Sequence, residues 1–166
     1  NWQITVADFS EDLAKEAVGN HVSGIAIFFD VKDENQRIAE ISDADIVISM
    51  LPASMHITVA KDCIRLKKNL VTASYVSQEI AALDESAKKA GVLLLNEIGL
   101  DPGLDHMSAM AVIDDIKERG GELTSFKSFC GGLVHPDYDN NPWNYKFTWN
   151  PRNVVLAGQG TAQYIK

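Results

Sequence analysis

The stretch ADIVISMLPASMHITVAKDCIRLKKNLVTAS, Ala44 to Ser74, decides the fold. It opens with a nearly continuous apolar run, Ala44 to Pro52, stopped by the proline. Ser54 to Lys68 then reads as a helix whose basic residues collect in its last turn, where the helix dipole favours cations. Asn69 to Ser74 is a second β-rich run. Strand, helix and strand in this order form a βαβ unit, whose two strands run parallel. The strand runs are continuously apolar rather than alternating, which predicts burial on both faces beneath covering helices.

The same alternation extends both ways. Trp2 to Ala7 is a short strand run that ends at Asp8, and Ser10 stands as the N-cap of a helix behind it. Gly24 to Asp30 is another β-rich run, followed by a short amphipathic helix from Asp33 to Ile41. Downstream, Ser77 to Gly91 reads as one helix with a serine at its start and a glycine at its end, and Val92 to Gly99 as a further strand. The order βαβαβαβαβ predicts a doubly wound α/β domain with right-handed crossovers.

The pattern changes after Gly99. PGLDHMSAMAVIDDIKER is a long helix, with Asp101 expected as N-cap, Pro102 at the first helical position and Gly120-Gly121 just past its end. Glu122 to Gly132 shows partial alternation and is expected to be a strand. Leu133 to Asn153, with its three prolines, is loop-like. A boundary is therefore placed near residue 120, with a nucleotide-type domain over 1–120 and the start of a mixed α+β substrate domain over 121–166.

Composition narrows the function classes. The 166 residues are 46% hydrophobic and 23% charged, as in a globular protein. The net charge of −8, with no basic block, argues against nucleic acid and anionic membrane as partners. No apolar run approaches the ~20 residues that span a bilayer, and the first residues lack the charged flank of a signal peptide. Cys63 and Cys130 lie far apart in no metal-ligand spacing and are expected to be reduced thiols of a cytoplasmic protein.

In a doubly wound dinucleotide fold the phosphate grip is a glycine-rich turn after the first strand, with an acidic residue ~20 positions later at the end of the second. Asp8 suits that acidic position, yet no G-x-G-x-x-G precedes it. The expected account is that the first, central strand lies upstream, that the sheet is a partial Rossmann sheet, and that this segment alone is inactive; a rearranged sheet is the alternative. A carboxylate at Asp8 would accept from ribose hydroxyls and repel a 2′-phosphate, which points to NAD, with NADP as the second choice; the bland alternative is a cap for the next helix. Asp30 and Val31 end the next strand, beside the expected adenine, or belong to a solvated loop. Leu51 and Pro52 form either the floor under a cofactor or a plain turn. Ala73, Ser74 and Tyr75 sit at the following strand end, where nicotinamide and substrate would meet. Cys130, in FCGG, taken alone reads as a small buried hydrophobe.

Three further motifs, NEIGLDPGLDH (Asn96 to His106), SFCGGL and NPWNYKFTWNPR, join ASYVS (Ala73 to Ser77) in a specific set. With them the chain resembles the glutamate-forming saccharopine dehydrogenase family over essentially its whole length. The resemblance implies a Rossmann domain that binds NAD(P), an inserted substrate domain, and a homodimer of the full-length protein. It implies oxidation of the CH–NH bond of saccharopine or a similar carboxyalkyl amine to glutamate and an aldehyde, in lysine metabolism. Alternatives are a carboxynorspermidine-forming relative and a non-catalytic dinucleotide module. By the same comparison Ser74, Tyr75 and Asp101 line the substrate cleft, with Cys130, Lys146 and Phe147 facing it. Asp101, Tyr75 and Cys130 are the candidate catalytic groups. Lys146 and Arg152 are candidate cations for the substrate carboxylates. Two departures stand out: Asp8, where NADP-using members look basic, and the VHPDYDNNPW run with His135 and Asp137.

Overall fold

A computed structural model describes residues 2–146. They fall into two compact units, divided between Leu123 and Thr124.

The first unit carries the βα alternation: β1 (Ile4–Asp8), α1 (Glu11–Val18), β2 (Gly24–Phe28), α2 (Glu34–Asp43), β3 (Ile46–Ser49), α3 (His56–Leu66), β4 (Asn69–Thr72), α4 (Gln78–Ala81), α5 (Asp84–Ala90), β5 (Leu94–Leu95) and α6 (Leu104–Glu118). Every pairing is parallel, as the continuous apolar runs require. β1 pairs with β2, from Ile4 opposite Gly24 to Asp8 opposite Phe28. β3, β4 and β5 form a second ladder, with Ser49 opposite Thr72 and Val71 opposite Leu95. Ser10, Asp33 and Ser77 cap their helices with side-chain oxygens, and Gly91 closes α5 in the left-handed region.

The core is the α2–α3 layer against β4: Ile41, Val59, Ala60, Cys63, Leu70 and Ile80 are buried together, with Val31, Leu51, Leu83 and Leu94 packed around them. α1 packs on β1 and β2, and α3 on β3 and β4.

Four expectations need correction. The strands are not buried on both faces: β4 buries Leu70 and Thr72 on one face while Asn69 on the other is exposed, Ile48 of β3 is 66% exposed, and β1 is exposed along most of its length. The contacts that α1 and α3 make with these strands leave their other face open, so continuous apolarity marks strands that suit two covers without showing that both are in place. The helix expected over 77–91 is two. Leu83 N–H donates to the Ile80 carbonyl at 3.0 Å, a tighter turn that lets both Ile80 and Leu83 reach the core. The helix expected from Ser54 begins at His56, after a 3-10 turn over Ala53–Met55. Glu122 to Gly132 forms no strand among the described residues; alternation supplies a face, but a ladder needs a partner.

Among the described residues of the second unit, a 3-10 turn over Pro136–Tyr138 breaks the expected loop, with His135 Nδ1 accepting from Asp137 N–H at 3.3 Å.

Candidate active site

In open α/β sheets, ligands gather beyond the carboxyl ends of the strands. The ends of β4 and β5 are joined there. Glu97 N–H donates to the Ser74 carbonyl at 3.1 Å, Ile98 N–H to the Thr72 carbonyl at 3.3 Å, and Val76 N–H to Glu97 Oε1 at 3.1 Å. Gly99 lies so close to β4 that a Cβ on it would stand 2.9 Å from Ala73 Cβ. Ala73 is thereby placed under the loop that carries the acidic motif.

That loop resolves the role of Asp101. α6 begins at Leu104 with Gly103, not Asp101, as its N-cap. The chain from Gly99 to Gly103 folds back on itself: Gly99 N–H donates to the Pro102 carbonyl at 2.8 Å, Leu104 N–H to Gly99 at 2.9 Å, and Asp105 N–H to Leu100 at 3.0 Å. Loop carbonyls thus satisfy the first amides of the helix, which is the work a capping carboxylate would do. The Asp101 side chain is left exposed with no hydrogen bond among the described residues. The expected cap is therefore overturned, and the carboxylate remains available for chemistry.

Tyr75, Asp101, Glu97, Asp105 and His106 share one electrostatic neighbourhood. Partial desolvation, with the carboxylates of Asp101, Glu97 and Asp105, pushes the Tyr75 phenol above its ordinary range and keeps it neutral. His106 Nδ1 lies 2.7 Å from Asp105 Oδ1, and this contact raises the imidazole; Asp101 and Glu97 add to the effect. Desolvation pushes the Asp105 carboxyl up, but the His106 ring and the Gly103 and His106 amides outweigh it and hold it low. The arrangement is a neutral phenol beside an anionic group, suited to binding a cation or a developing one.

Ser74 joins this site from beneath. His56, the first residue of α3, is buried and spans the ends of β3 and β4: Nδ1 lies 2.8 Å from Ser49 Oγ and Nε2 lies 2.8 Å from Ser74 Oγ.

The ends of β1 and β2 carry the other expected residues. Asp8 Oδ1 accepts from Ser10 N–H at 2.8 Å, so it helps open α1. Asp30 Oδ1 accepts from Lys32 N–H at 2.9 Å, and Val31 packs on the core while its carbonyl accepts from Arg37 Nη1 at 2.6 Å. Phe9 and Phe28 are exposed here with ring centroids 5.5 Å apart. Leu51 also faces the core, and the Pro52 carbonyl accepts from Met55 N–H at 2.9 Å.

Residues 1–95 match the family model described as the saccharopine dehydrogenase NADP binding domain, and residues 99–166 match the saccharopine dehydrogenase C-terminal domain. The chain belongs to the saccharopine dehydrogenase family. It is 45% identical to the saccharopine dehydrogenase [NADP(+), L-glutamate-forming] of Saccharomyces cerevisiae over 100% of this chain and 37% of that protein. It is 50% identical to the alpha-aminoadipic semialdehyde synthase of Arabidopsis thaliana over 97% of this chain and 15% of that protein. The solved apo saccharopine dehydrogenase (L-Glu forming) from Saccharomyces cerevisiae superposes with a TM-score of 0.78 at 42% identity, covering 93% of this chain and 35% of that one. The chain thus spans about a third of the length of its yeast relative.

Of the saccharopine dehydrogenase positions expected in the second unit, Cys130 is exposed rather than buried, and Lys146 is half-buried. Phe147 and Arg152 lie outside the described residues. The sequence reading missed His56, Thr72, Ser49, Glu97 and the Phe9–Phe28 pair. Only His56 left a trace, as a histidine placed where a strand turns into a helix. Among the described residues no helix is long and apolar enough to cross a membrane.

Proposed function

We propose that this chain belongs to an NADP-dependent oxidoreductase that opens the CH–NH bond of saccharopine, or of a close carboxyalkyl amine, within lysine metabolism. The observation that carries the reading is the neutral Tyr75 phenol beside the unbonded Asp101 carboxylate, at a strand end of a saccharopine dehydrogenase family chain.

A bound nicotinamide would supply the acceptor for the hydride on the carbon beside the secondary amine. The electron pair of nitrogen then forms a carbon–nitrogen double bond, and the substrate becomes an iminium cation. Water adds to its carbon, a proton moves to nitrogen, and the carbon–nitrogen bond breaks to release glutamate and an aldehyde. Asp101, with Glu97 and Asp105 near it, stabilises positive charge on nitrogen, and this field favours the iminium over the neutral amine. Tyr75 is the group to pass a proton between nitrogen and the adding water, because a phenol held neutral can both donate and accept.

The adenosine half of a dinucleotide fits the β1–β2 rim. Phe9 and Phe28 offer exposed ring faces, and Asp8 stands at the same strand end. Asp8 by itself argues for NAD. Its carboxylate is engaged in opening α1, however, and the matched domain and the yeast relative carry NADP in their names, so NADP is the cofactor proposed. The domain boundary is retained near residue 120.

The test mixes the full-length protein with saccharopine and NADP⁺ and follows absorbance at the reduced-nicotinamide band, with glutamate measured in parallel. Both are expected to rise together, and faster than with NAD⁺. A flat trace with folded protein overturns the reading, and faster turnover of a carboxynorspermidine-type amine reassigns the substrate.

A further inference from the structure

His56 lies within the fold, and its imidazole bridges the paired last residues of two adjacent strands. Ser49 ends β3 directly opposite Thr72, which ends β4. Nδ1 lies 2.8 Å from Ser49 Oγ; Nε2 lies 2.8 Å from Ser74 Oγ and 3.3 Å from Thr72 Oγ1. Thr72 Oγ1 in turn accepts from Ser74 N–H at 3.3 Å. His56, Ser49 and Thr72 are all at most 4% exposed, whereas Ser74 is half-buried at the site.

Burial holds the His56 imidazole below its ordinary range, and its place in the first turn of α3 opposes a positive charge as well. The ring is therefore neutral, with one nitrogen donating and the other accepting. The 2.8 Å contact with Ser74 must hold a proton, since two lone pairs would repel at that distance. If the proton came from Ser74, Nε2 would be saturated and Nδ1 would donate to Ser49. The buried hydroxyl protons of Ser49 and Thr72 would then both lack an acceptor among the described residues. If Nε2 donates to Ser74 instead, Ser49 donates to Nδ1 and only the Thr72 proton lacks one. Buried polar groups are rarely left unpaired, so the Nε2–H tautomer is favoured.

We propose that His56 is a positioning residue: by donating Nε2–H to Ser74 Oγ it turns the Ser74 hydroxyl proton outward, as a donor to a carboxylate oxygen of the bound substrate. The network orients rather than conducts, because at the far end Ser49 is buried with no onward partner among the described residues. The substrate half of the proposal rests on the function proposed above; the tautomer does not.

The experiment uses the full-length protein in two arms. In ¹⁵N-histidine-labelled protein, the His56 resonances, assigned by their loss in His56→Asn, are expected to show Nε2–H; Nδ1–H overturns the proposal whatever the enzyme does. In the kinetic arm, His56→Asn keeps an amide near the Nδ1 position and loses the reach to Ser74, whereas His56→Gln places an NH₂ near Nε2. The Asn variant is expected to raise the saccharopine KM about tenfold, the effect of one neutral hydrogen bond, with the NADP KM unchanged and the Gln variant within about threefold of wild type. His56→Asn added to Ser74→Ala is expected to cost nothing more than Ser74→Ala alone. Equal losses in the Asn and Gln variants, additive losses in the double variant, or a rise confined to the NADP KM overturn it. Wild-type protein that forms no NADPH from saccharopine, yet shows Nε2–H, refutes the assigned function and leaves the ring geometry standing.

Discussion

Arg37 Nε meets Asp62 Oδ2 at 2.7 Å, with each side chain 9% exposed. This pair ties α2 to α3 directly over the core. It is not isolated: Asp62 Oδ1 also accepts from Arg65 Nη2 at 2.6 Å, and Arg37 Nη1 donates to the Val31 carbonyl. Each buried charge therefore has more than one partner, the condition under which burying it is tolerable. Asp62→Ala leaves the Arg37 guanidinium buried and unmatched, and is expected to cost about 3 kcal/mol or more, read from urea unfolding. A joint Arg37→Met, Asp62→Leu change should recover most of that loss. If Asp62→Ala is neutral, the pair is not what holds the two helices.

Gly103 has φ 144°, a region that L side chains avoid, and a Cβ there would overlap the Gly99 backbone. Gly103→Ala is expected to cost about 2 kcal/mol or more in the same assay, by strain plus collision. Gly120, also at positive φ but with open space around it, provides the control; Gly120→Ala should cost about 1 kcal/mol. Equal losses at the two positions would show that the tight Gly99–Gly103 loop is not essential.

The His106–Asp105 contact sets a pH window. The His106 pKa is raised on folding, so its stabilising contribution is full below the ordinary imidazole value and disappears as pH rises through the elevated one. Asp105 is depressed, so its contribution is present above the ordinary carboxylate value and disappears as pH falls through the lowered one. The pair is therefore strongest between the two. An NMR titration of the His106 ring should show a midpoint above the ordinary histidine value, falling towards it in Asp105→Asn. An unchanged midpoint in that variant refutes the pairing.

Tyr75 stands in the field of three carboxylates that favour its neutral form. Tyr75→Phe in the full-length protein is expected to lower kcat/KM with saccharopine about 100-fold or more, the range of a lost proton-transfer group. Initial rates of NADPH formation measure it. Asp101→Asn should reduce kcat more than it raises KM, because it weakens charge stabilisation that matters most at the iminium. Wild-type rates in both variants would remove these residues from the reaction.

Burial and the neighbouring Asp62 push the Cys63 thiol up to about 12. At pH 8 almost none of it is thiolate, and it lies fully buried in the core. Cys63 is expected to resist iodoacetamide in the folded protein and to react once urea unfolds it, as peptide mass mapping would reveal. Modification of Cys63 under native conditions would contradict its place in the core.

The sequence by itself determined the order of strands and helices, with the parallel pairing that this order implies, and the caps at Ser10 and Ser77. These follow from interactions within a few residues, the range over which capping oxygens, apolar periods and turns act. Tertiary structure decided what depends on partners far along the chain. The Asp101 carboxylate was released from capping because the folded loop supplied carbonyls in its place. Two sheet ladders formed with one face left open, and the run around Cys130 stayed exposed and formed no strand among the described residues. His56 acquired its role only when Ser49, Thr72 and Ser74 were brought around it from two neighbouring strands. Hydrogen-bond geometry of that kind is set by packing, and no local pattern of residue types encodes it.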